Sequence, residues 1–305
     1  MEELRKPAVA LAAVPRRRRA ALELAQEIER RDFEGIYCAS AGDGLGLCLA
    51  LALGTRHIPF GTAIANLYTR QAGDYAATTA LIEELAPGRF RFGVGVSHAP
   101  LLERLGVRAG RPLEDVRRFV ESWRATPRTG EQPKLVLAAL RKKMVALAGE
   151  LGDGVVFANC ARSHVPESLA ALPAEARRRD DFFVGCMIPT VVSDDLAAAA
   201  EVNRRTLQFY LRLPNYRRYW KEAGYVEEMT AVEKALAAGE RERLGSLMSD
   251  AWLADCTLAG PAERIREGVA AWRAAGVSTP ILVPSSVDGH QFDAFRELFA
   301  VFDRG

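Results

Sequence analysis

The chain has 305 residues, of which 49% are hydrophobic and 26% are charged, and its formal net charge is +2. That length fits one large α/β barrel or two ordinary domains, and the composition is that of a globular protein with a sizeable core. Because the charges nearly balance, no strong electrostatic field would attract nucleic acid or membrane lipid, and we expect neither as a partner.

Cysteine usage and the amino-terminal sequence bear on the cellular compartment. The five cysteines are odd in number and form no Cys-x-x-Cys pair, so we expect buried free thiols, with neither a disulfide framework nor a metal site. The apolar run at residues 8–14 is too short for a signal peptide, and arginines follow it instead of preceding it. No stretch approaches the roughly 20 apolar residues that span a bilayer. We therefore expect a cytoplasmic protein.

Short apolar runs alternate with longer amphipathic ones along the first part of the chain. Strands are predicted at residues 7–14, 35–38, 57–64 and 91–96. Helices are predicted between them at residues 20–31, 45–53 and 74–85, and Pro87 and Gly88 end the last of these. In the first helix Ala21, Ala25 and Ile28 share one face, as is typical of a helix that packs on a sheet.

The same alternation continues to the end of the chain. The remaining predicted strands are residues 134–140, 154–158, 182–192 and 281–284. The remaining helices are residues 113–125, 143–150, 167–172, 194–211 and 292–302. Asp194 and Asp195 stand at the start of the predicted helix at residues 194–211, where they can cap it and complement its dipole. Residues 214–259 add length between the seventh and eighth strands, and we expect a helical insertion there.

Eight strands that alternate with helices predict a parallel sheet, and in about 300 residues they favour a closed (β/α)8 barrel over an open doubly wound sheet. The strands are apolar on both faces, as buried parallel strands are. No linker or repeat divides the chain, so we expect a single domain over residues 1–305. Barrels of this kind carry their sites on the loops that follow the strands.

The loop after the third predicted strand combines small residues with polar ones. Small side chains let a ligand approach the backbone closely, and the polar residues offer hydrogen bonds and one fixed charge. The small residues are Gly61, Thr62, Ala63 and Ala65, and the polar ones are Asn66, Thr69 and Arg70. A tight turn with a structural arginine would explain the pattern equally well.

The fourth predicted strand runs into polar residues. Gly93 and Gly95 leave room on the strand for a ligand or for barrel packing. Ser97 and His98 follow at the strand end, where a barrel places reactive side chains. A structural histidine is the alternative. The glycines do not form a dinucleotide-binding fingerprint, because His98 stands where the last glycine is required.

After the fifth predicted strand, the start of a helix carries three cations. Arg141, Lys142 and Lys143 lie at this helix start, where free backbone N–H groups and the positive end of the helix dipole already attract anions. Together they predict a seat for a phosphate. The alternative is a solvated basic helix start, which the helix dipole would disfavour.

Other residues give weaker signals. Asp43 follows the second strand and could face the same pocket. His164 precedes a predicted helix and is expected to cap it, and Trp220, Trp252 and Trp272 are expected to be packing residues. The motifs of Ser-His-Asp hydrolases, zinc proteases, P-loop proteins and EF-hands are absent from the sequence.

Four blocks of sequence resemble the bacterial-luciferase-like superfamily, in particular its deazaflavin-dependent reductases and dehydrogenases. The blocks are residues 58–70, 88–98, 137–144 and 260–277. The resemblance implies a (β/α)8 barrel, in agreement with the pattern of elements. It also implies that a flavin or deazaflavin ring lies in the mouth of the barrel. Family members are often dimers, so a homodimer is compatible with it.

The resemblance also implies roles for individual residues. The step from Ala63 to Ile64 matches a non-proline cis peptide that backs the ring, and Ser97 and His98 match positions that meet the cofactor tail or the substrate. The residues implied in cofactor binding are Thr62, Ala63, Ile64, Asn66, Gly95, Ser97, His98, Ala139, Leu140, Arg141, Lys143 and Met144. His98 and Asp43 are the catalytic candidates.

Three functions remain open at the level of the sequence. The first is a reductase or dehydrogenase that uses coenzyme F420 and passes hydride between the deazaflavin and a small organic substrate. The second is an FMN-dependent monooxygenase of the same superfamily. The third is a cofactor-free barrel with a binding role. The long acidic tail of the deazaflavin cofactor and the cations at Arg141 to Lys143 favour the first.

Overall fold

The computed structural model describes residues 5–39 and 42–303. Its strands are β1 (Ala8–Leu11), β2 (Ile36–Cys38), β3 (Phe60–Thr62), β4 (Ala65–Asn66), β5 (Phe90–Gly95), β6 (Lys134–Ala138), β7 (Gly154–Ala158), β8 (Phe183–Val192), β9 (Leu258–Gly260) and β10 (Thr279–Ser285).

Helices follow the strands along the chain. They are α1 (Arg18–Arg30), α2 (Gly44–Gly54), α3 (Ala72–Leu85), α4 (Ala99–Arg104), α5 (Pro112–Arg124), α6 (Lys142–Leu151), α7 (Val165–Ala170), α8 (Ala174–Arg177), α9 (Leu196–Leu211), α10 (Pro214–Glu222), α11 (Val226–Ala237), α12 (Asp250–Cys256), α13 (Ala262–Ala274) and α14 (Gln291–Phe302). The described residues also include two 3₁₀ segments, Arg162–His164 and Arg241–Leu247. In the described ranges no helix is both long enough and apolar enough to cross a membrane.

Eight of the strands, β1, β2, β3, β5, β6, β7, β8 and β10, are each followed by one or more helices and make up the parallel sheet of a (β/α)8 barrel. The predicted α/β class and barrel fold are confirmed. The predicted helical insertion between the seventh and eighth barrel strands is confirmed by α10, α11 and α12. The insertion also contains the short strand β9, which the sequence did not indicate because three residues are too few for a periodic pattern.

Two compact units are distinguished by their internal contacts. The first unit comprises Arg5–Val156 and Ala171–Gly185, and the second comprises Phe157–Ala170 and residues 186–303. In the first unit the strands pair in parallel in the order β1, β2, β3, β5, β6, β7, and β4 pairs with the far end of β5. A single domain over residues 1–305, a range that extends past the described residues, stays a prediction.

Aromatic packing behind β5 stabilises the first unit. Tyr75 of α3 lies 5.3 Å from the ring of Phe92 and 5.6 Å from that of Phe119, measured between centroids. Phe92 also lies 5.6 Å from Trp123. Such aromatic pairs contribute about 0.5–1.5 kcal/mol each beyond the area that they bury. The cluster fixes α3 and α5 against β5, the strand that ends at Gly95.

Packing in the second unit agrees with the prediction for its tryptophans. Trp220, Trp252 and Trp272 are fully buried, and the rings of Trp220 and Trp252 meet edge to face at 4.8 Å.

Two further predictions are confirmed. At the start of α9, the carboxylate of Asp195 accepts a hydrogen bond from the backbone N–H of Ala198 at 3.0 Å, which confirms the predicted cap. The predicted free cysteines are confirmed, because all five are buried thiols.

The structure differs from the sequence prediction at several other places. Helices α8 and α13 were not predicted, and β1 and β6 end at Leu11 and Ala138, before the ends of the predicted strands. The predicted strand at residues 57–64 is divided into β3 and β4, with Ala63 and Ile64 between them. Helix α4 was not predicted, because its six residues are too short for a helical period. The predicted helix at residues 167–172 begins earlier, with a 3₁₀ turn at Arg162–His164 that continues into α7.

Candidate functional site

The break between β3 and β4 places a turn of backbone at the carboxyl end of the sheet. The peptide bond between Ala63 and Ile64 is cis, as the resemblance implied. The N–H of Ala63 donates to the carbonyl oxygen of Cys38 at 2.8 Å, and Oγ1 of Thr62 donates to the carbonyl oxygen of Gly93 at 2.6 Å. The neighbouring strands on both sides therefore hold the turn in place.

Glycine is required on β5 because the turn lies so close to it. A Cβ atom at Gly93 would fall 1.8 Å from the carbonyl oxygen of Thr62. This is a clash with the backbone, so no rearrangement of side chains could relieve it. A Cβ atom at Gly95 would fall 2.8 Å from Cβ of Ala138 and 3.4 Å from Cδ1 of Ile64. The glycines that the sequence singled out thus allow β4, β5 and β6 to converge, and Ile64 is left half-buried at that point.

Asn66 is buried at the end of β4, with 5% of its surface exposed. Its Oδ1 accepts a hydrogen bond from the N–H of Tyr68 at 3.0 Å. Its carbonyl oxygen accepts from the hydroxyls of Thr69 at 2.8 Å and Tyr75 at 2.7 Å. Its Nδ2 has no hydrogen-bond partner among residues 5–39 and 42–303. A buried amide nitrogen without a partner is unusual in a folded protein and indicates a missing acceptor.

The segment after β5 begins with a residue in the left-handed region. Ser97 has φ of 60°, and His98 follows as the residue before α4. The carbonyl oxygen of His98 accepts the N–H groups of Leu101 and Leu102, at 2.9 and 3.1 Å, so the backbone of His98 is fixed. Its imidazole is half-buried, and this burial lowers the pKa of His98 from its ordinary value. The neutral imidazole is therefore favoured.

The turn after β6 leads directly into α6. Ala139 is buried, and its N–H donates to the carbonyl oxygen of Val156 at 3.1 Å. The carbonyl of Arg141 accepts the N–H groups of Met144 and Val145, at 2.9 and 3.1 Å, and so starts the helix. The first turn of α6 contains no acidic residue. Leu140 and Met144 are half-buried, whereas Arg141 and Lys143 are exposed.

Lys143 faces a groove on the surface of the first unit. The groove lies between α5 and α6, and Arg117 and Glu150, which form an ion pair at 2.7 Å, line it together with Lys143. Arg141 does not line this groove. Arg141 and Lys143 therefore differ in their surroundings, although Arg141 is the N-cap of α6 and Lys143 belongs to its first turn.

Asp43 has a structural role that the sequence had not assigned. Its Oδ1 accepts the N–H of Gly46 at 3.0 Å, which caps α2, and also accepts a hydrogen bond from Nη2 of Arg70 at 3.3 Å. Asp43 has φ of 73°, and its side chain is 58% exposed. The pair joins the loop after β2 to the loop after β4.

Two residues next to the candidate site were missed by sequence reasoning. The hydroxyl of Tyr68 donates to Oδ2 of Asp115 at 2.6 Å. Asp115 also accepts the N–H of Gly110 at 2.8 Å and pairs with Arg118 at 3.1 Å. Burial and the Asp115 carboxylate raise the pKa of Tyr68 well above its ordinary value. The aromatic residue two positions after Asn66 was the available signal, but its partner is 47 residues away.

All the predicted site residues lie in the first unit, and the carboxyl ends of β4, β5 and β6 bring part of the set together. Asn66 pairs with Gly95, and Val94 pairs with Leu137 on the next strand. His164, by contrast, belongs to the second unit, where it is buried, pairs with Glu167 at 3.3 Å and contacts Tyr219 edge to face. It is accordingly a packing and helix-start residue.

Family comparison agrees with this arrangement. A family model described as luciferase-like monooxygenase matches residues 6–131 and 121–279, which is most of the chain. The chain belongs to the luciferase-like monooxygenase family. The resemblance to the bacterial-luciferase-like superfamily is thus confirmed, and so is the prediction of an oxidoreductase enzyme of the luciferase-like class.

Relatives of this luciferase-like protein include enzymes named for coenzyme F420. A Mycobacterium tuberculosis protein provisionally named a coenzyme F420-dependent oxidoreductase is 23% identical, over 87% of this chain and 91% of that protein. Among solved structures, the coenzyme F420-dependent tetrahydromethanopterin reductase from Methanopyrus kandleri is similar with a TM-score of 0.75 and 15% identity, over 96% of this chain and 97% of that one.

An FMN complex is also similar in fold. The oxygenating constituent of 3,6-diketocamphane monooxygenase from Pseudomonas putida, solved with FMN, has a TM-score of 0.63 and 16% identity, over 97% of this chain and 95% of that one. At such identities the solved structures establish the fold that this luciferase-like protein shares with them.

Proposed function

We propose that this luciferase-like protein is a coenzyme F420-dependent reductase or dehydrogenase that acts on a small organic substrate. The observation that carries the proposal is the buried Nδ2 of Asn66, which has no partner in the described part of the chain and stands at the convergence of β4, β5 and β6. The ring of a deazaflavin or flavin has carbonyl oxygens on its pyrimidine edge, which such a donor would bind.

The residues around Asn66 fit a flat ring. Ile64 is half-buried and can press an apolar side chain on one face of the ring. Gly95 offers no side chain, and Ala63 and Ala65 offer only a methyl group each, so the backbone of β4 and β5 can be approached closely. Thr62, in contrast, donates its hydroxyl to Gly93 and has a supporting role.

The turn at Ala139, Leu140, Arg141 and Met144 is proposed as the seat of the cofactor's phosphate. The N–H groups in the first turn of a helix bind anions, and the positive dipole end of α6 is balanced by no acidic residue of its first turn. Arg141 adds a charge at that point. We assign Lys143 to the same phosphate through long-range attraction, since its side chain faces the groove between α5 and α6.

When bound, the deazaflavin would exchange a hydride with the substrate, and a group on the protein must then exchange the accompanying proton. His98 is suited to that step, because burial lowers its pKa and keeps a ring nitrogen free of its proton near neutral pH. Ser97 presents a hydroxyl beside it. Asp43 takes part by fixing the loop after β2 through Gly46 and Arg70.

The proposal is supported by the names of the Mycobacterium and Methanopyrus relatives, both of which refer to coenzyme F420. An FMN-dependent monooxygenase is the second candidate, favoured by the Pseudomonas structure with FMN. The proposal also includes a small-molecule organic substrate, a homodimer and a cytoplasmic location.

One experiment separates these readings. The purified protein is titrated with coenzyme F420 and with FMN, each followed by ligand fluorescence, and any copurified chromophore is identified by its absorbance and mass. Tighter binding of F420 than of FMN is expected. Tighter binding of FMN would favour the FMN-dependent monooxygenase over the F420-dependent reductase. Binding of neither cofactor would favour a cofactor-free barrel with a binding role.

A further inference from the structure

A cleft of about 750 Å³ opens in the second unit, between α9, α12 and α13 and over β9. Its walls are mostly small, with Ala197, Ala200, Ala254 and Ala271 among the residues that line it. The volume falls within the range of about 300–1,000 Å³ that small-molecule sites occupy. None of the residues assigned above to the cofactor lines it.

Three arginines line this alanine-walled cleft. Arg204 of α9 is already satisfied, because Nη2 forms an ion pair with Oδ1 of Asp250 at 2.5 Å. The side chains of Arg162 and Arg264 form no hydrogen bond or ion pair with any residue in the ranges 5–39 and 42–303. Glu267 also lines the cleft, so its lining carries three positive and two negative side chains.

Arg162 is the more informative of the two arginines without a partner. It follows β7 in the 3₁₀ turn and is half-buried. The next residue, Ser163, is held by two hydrogen bonds to the buried Asp255, from its N–H at 2.9 Å and from its hydroxyl at 2.6 Å. The backbone beside Arg162 is therefore fixed, and a half-buried arginine on a fixed backbone favours an anionic partner.

Arg264 enters the cleft from α13. Gly260 lies beneath its stem, since a Cβ atom at Gly260 would fall 2.8 Å from Cδ of Arg264. Gly260 has φ of 135°, a conformation that a larger residue would rarely adopt. The glycine thus allows the methylene stem of Arg264 to lie against the backbone, although Arg264 as a whole is exposed.

We propose that this cleft binds a small organic oxyanion, a carboxylate or phosphate on an apolar body. The guanidinium groups of Arg162 and Arg264 would bind the anion, because their planar N–H groups match the oxygens of both anions. The alanine walls would pack against the apolar body. The site is separate from the proposed cofactor site in its lining, so either proposal can fail without the other.

Direct binding to the whole protein tests the site without any assay of activity. Hexyl phosphate, hexanoate, inorganic phosphate and hexylammonium are titrated by calorimetry at low salt. Hexyl phosphate or hexanoate should bind, inorganic phosphate should bind more weakly because it lacks the apolar chain, and hexylammonium should not bind. Raising the salt concentration should weaken the binding of the anions.

Variants then assign the binding to named residues. Arg162→Gln and Arg264→Gln should each raise the Kd of the better anion by about tenfold, the usual cost of losing a charged hydrogen bond. Ala200→Phe should block the apolar wall and leave the charges in place. Arg205→Gln is the matched control. Arg205 is an exposed residue of α9, the helix that carries Ala200, and it does not line the cleft.

Four results would each overturn the proposal. They are binding of neither organic anion, equal binding of hexylammonium, equal binding of inorganic phosphate and hexyl phosphate, and an unchanged Kd in Arg162→Gln or in Arg264→Gln. The first three need only the wild-type protein, so they hold even if a variant fails to fold. Because the residues assigned to the cofactor do not line this cleft, a loss of anion binding in Arg162→Gln and Arg264→Gln reports on the cleft and not on the cofactor site.

Discussion

Asn66 and Gly95 are register partners on β4 and β5, and each is the last residue of its strand. The side chain of Asn66 is buried with its Nδ2 unpaired among the described residues, while Gly95 contributes only backbone. One strand end thus supplies a hydrogen-bond donor, and its neighbour supplies the space beside it.

We predict that Asn66→Asp weakens cofactor binding about tenfold, the cost of one lost hydrogen bond in a buried site. The substitution keeps the oxygen that accepts from Tyr68 and removes the donor at Nδ2. The measurement is the titration with F420 or FMN, whichever binds, alongside a thermal melt. Asn215→Asp, at an exposed position of α10, is the matched control. Equal affinity of the Asn66→Asp and wild-type proteins would remove Asn66 from the site.

A second prediction concerns the space at Gly95. Gly95→Ala should lower both cofactor affinity and stability, because its new Cβ would fall 2.8 Å from Cβ of Ala138 and 3.4 Å from Ile64. Overpacking of this kind costs about 1–3 kcal/mol in the free energy of unfolding. Gly245→Ala is the control, since a Cβ there would meet nothing within 4 Å. Urea unfolding and the cofactor titration measure the two effects, and wild-type values for both would contradict the prediction.

Much of the fold could be predicted from the sequence because periodicity and strand-end chemistry are local. Strand β7 was predicted at its observed bounds, and the cap at Asp195 lies next to the helix that it starts. The (β/α)8 order followed from the alternation of these elements. Local signals thus sufficed wherever an element is specified by its own residues.

What the sequence could not give depends on partners far along the chain. The division between β3 and β4 depends on hydrogen bonds from Ala63 to Cys38 and from Thr62 to Gly93. The contact between Tyr68 and Asp115 spans 47 residues. The surface position of Lys143 depends on how α5 packs beside α6, which a helical period does not specify.

A third prediction follows from the burial of His98. Because burial lowers its pKa, His98 should take up a proton only below the usual value of about 6.5 for a histidine, and the neutral ring should persist further into the acid range. Two-dimensional NMR of the imidazole nitrogens across a pH series measures this directly. His98→Gln assigns the resonance by removing it. A midpoint at or above the usual value would contradict the proposed role as a proton acceptor.

The last prediction concerns Glu29, which lies at the end of α1 and holds the loop that leads into β3. Its Oε1 accepts backbone N–H groups from Arg56, His57 and Ile58 at 2.8, 2.8 and 3.0 Å. The residue is buried, with 7% of its surface exposed. Glu29→Ala would leave these donors without their acceptor, and we expect a loss of about 3 kcal/mol in the free energy of unfolding.

The same carboxylate should make stability depend on pH. Burial raises the pKa of Glu29, but the three backbone hydrogen bonds lower it more, so the folded-state pKa lies below the ordinary value. As the pH falls, the unfolded chain therefore takes up the proton first. The stabilisation by Glu29 is complete above the unfolded-state pKa and is lost as the pH drops through the folded-state pKa.

Glu29→Gln tests this pH dependence, because glutamine keeps an acceptor oxygen and cannot titrate. The melting temperature of Glu29→Gln should fall less than that of the wild type between pH 7 and pH 4, two values that bracket the ordinary glutamate pKa of about 4.3. Glu23→Gln, at an exposed position of the same helix, should behave as the wild type does. Thermal melts of the three proteins at both pH values measure the difference, and parallel losses in all of them would show that Glu29 does not carry this pH dependence.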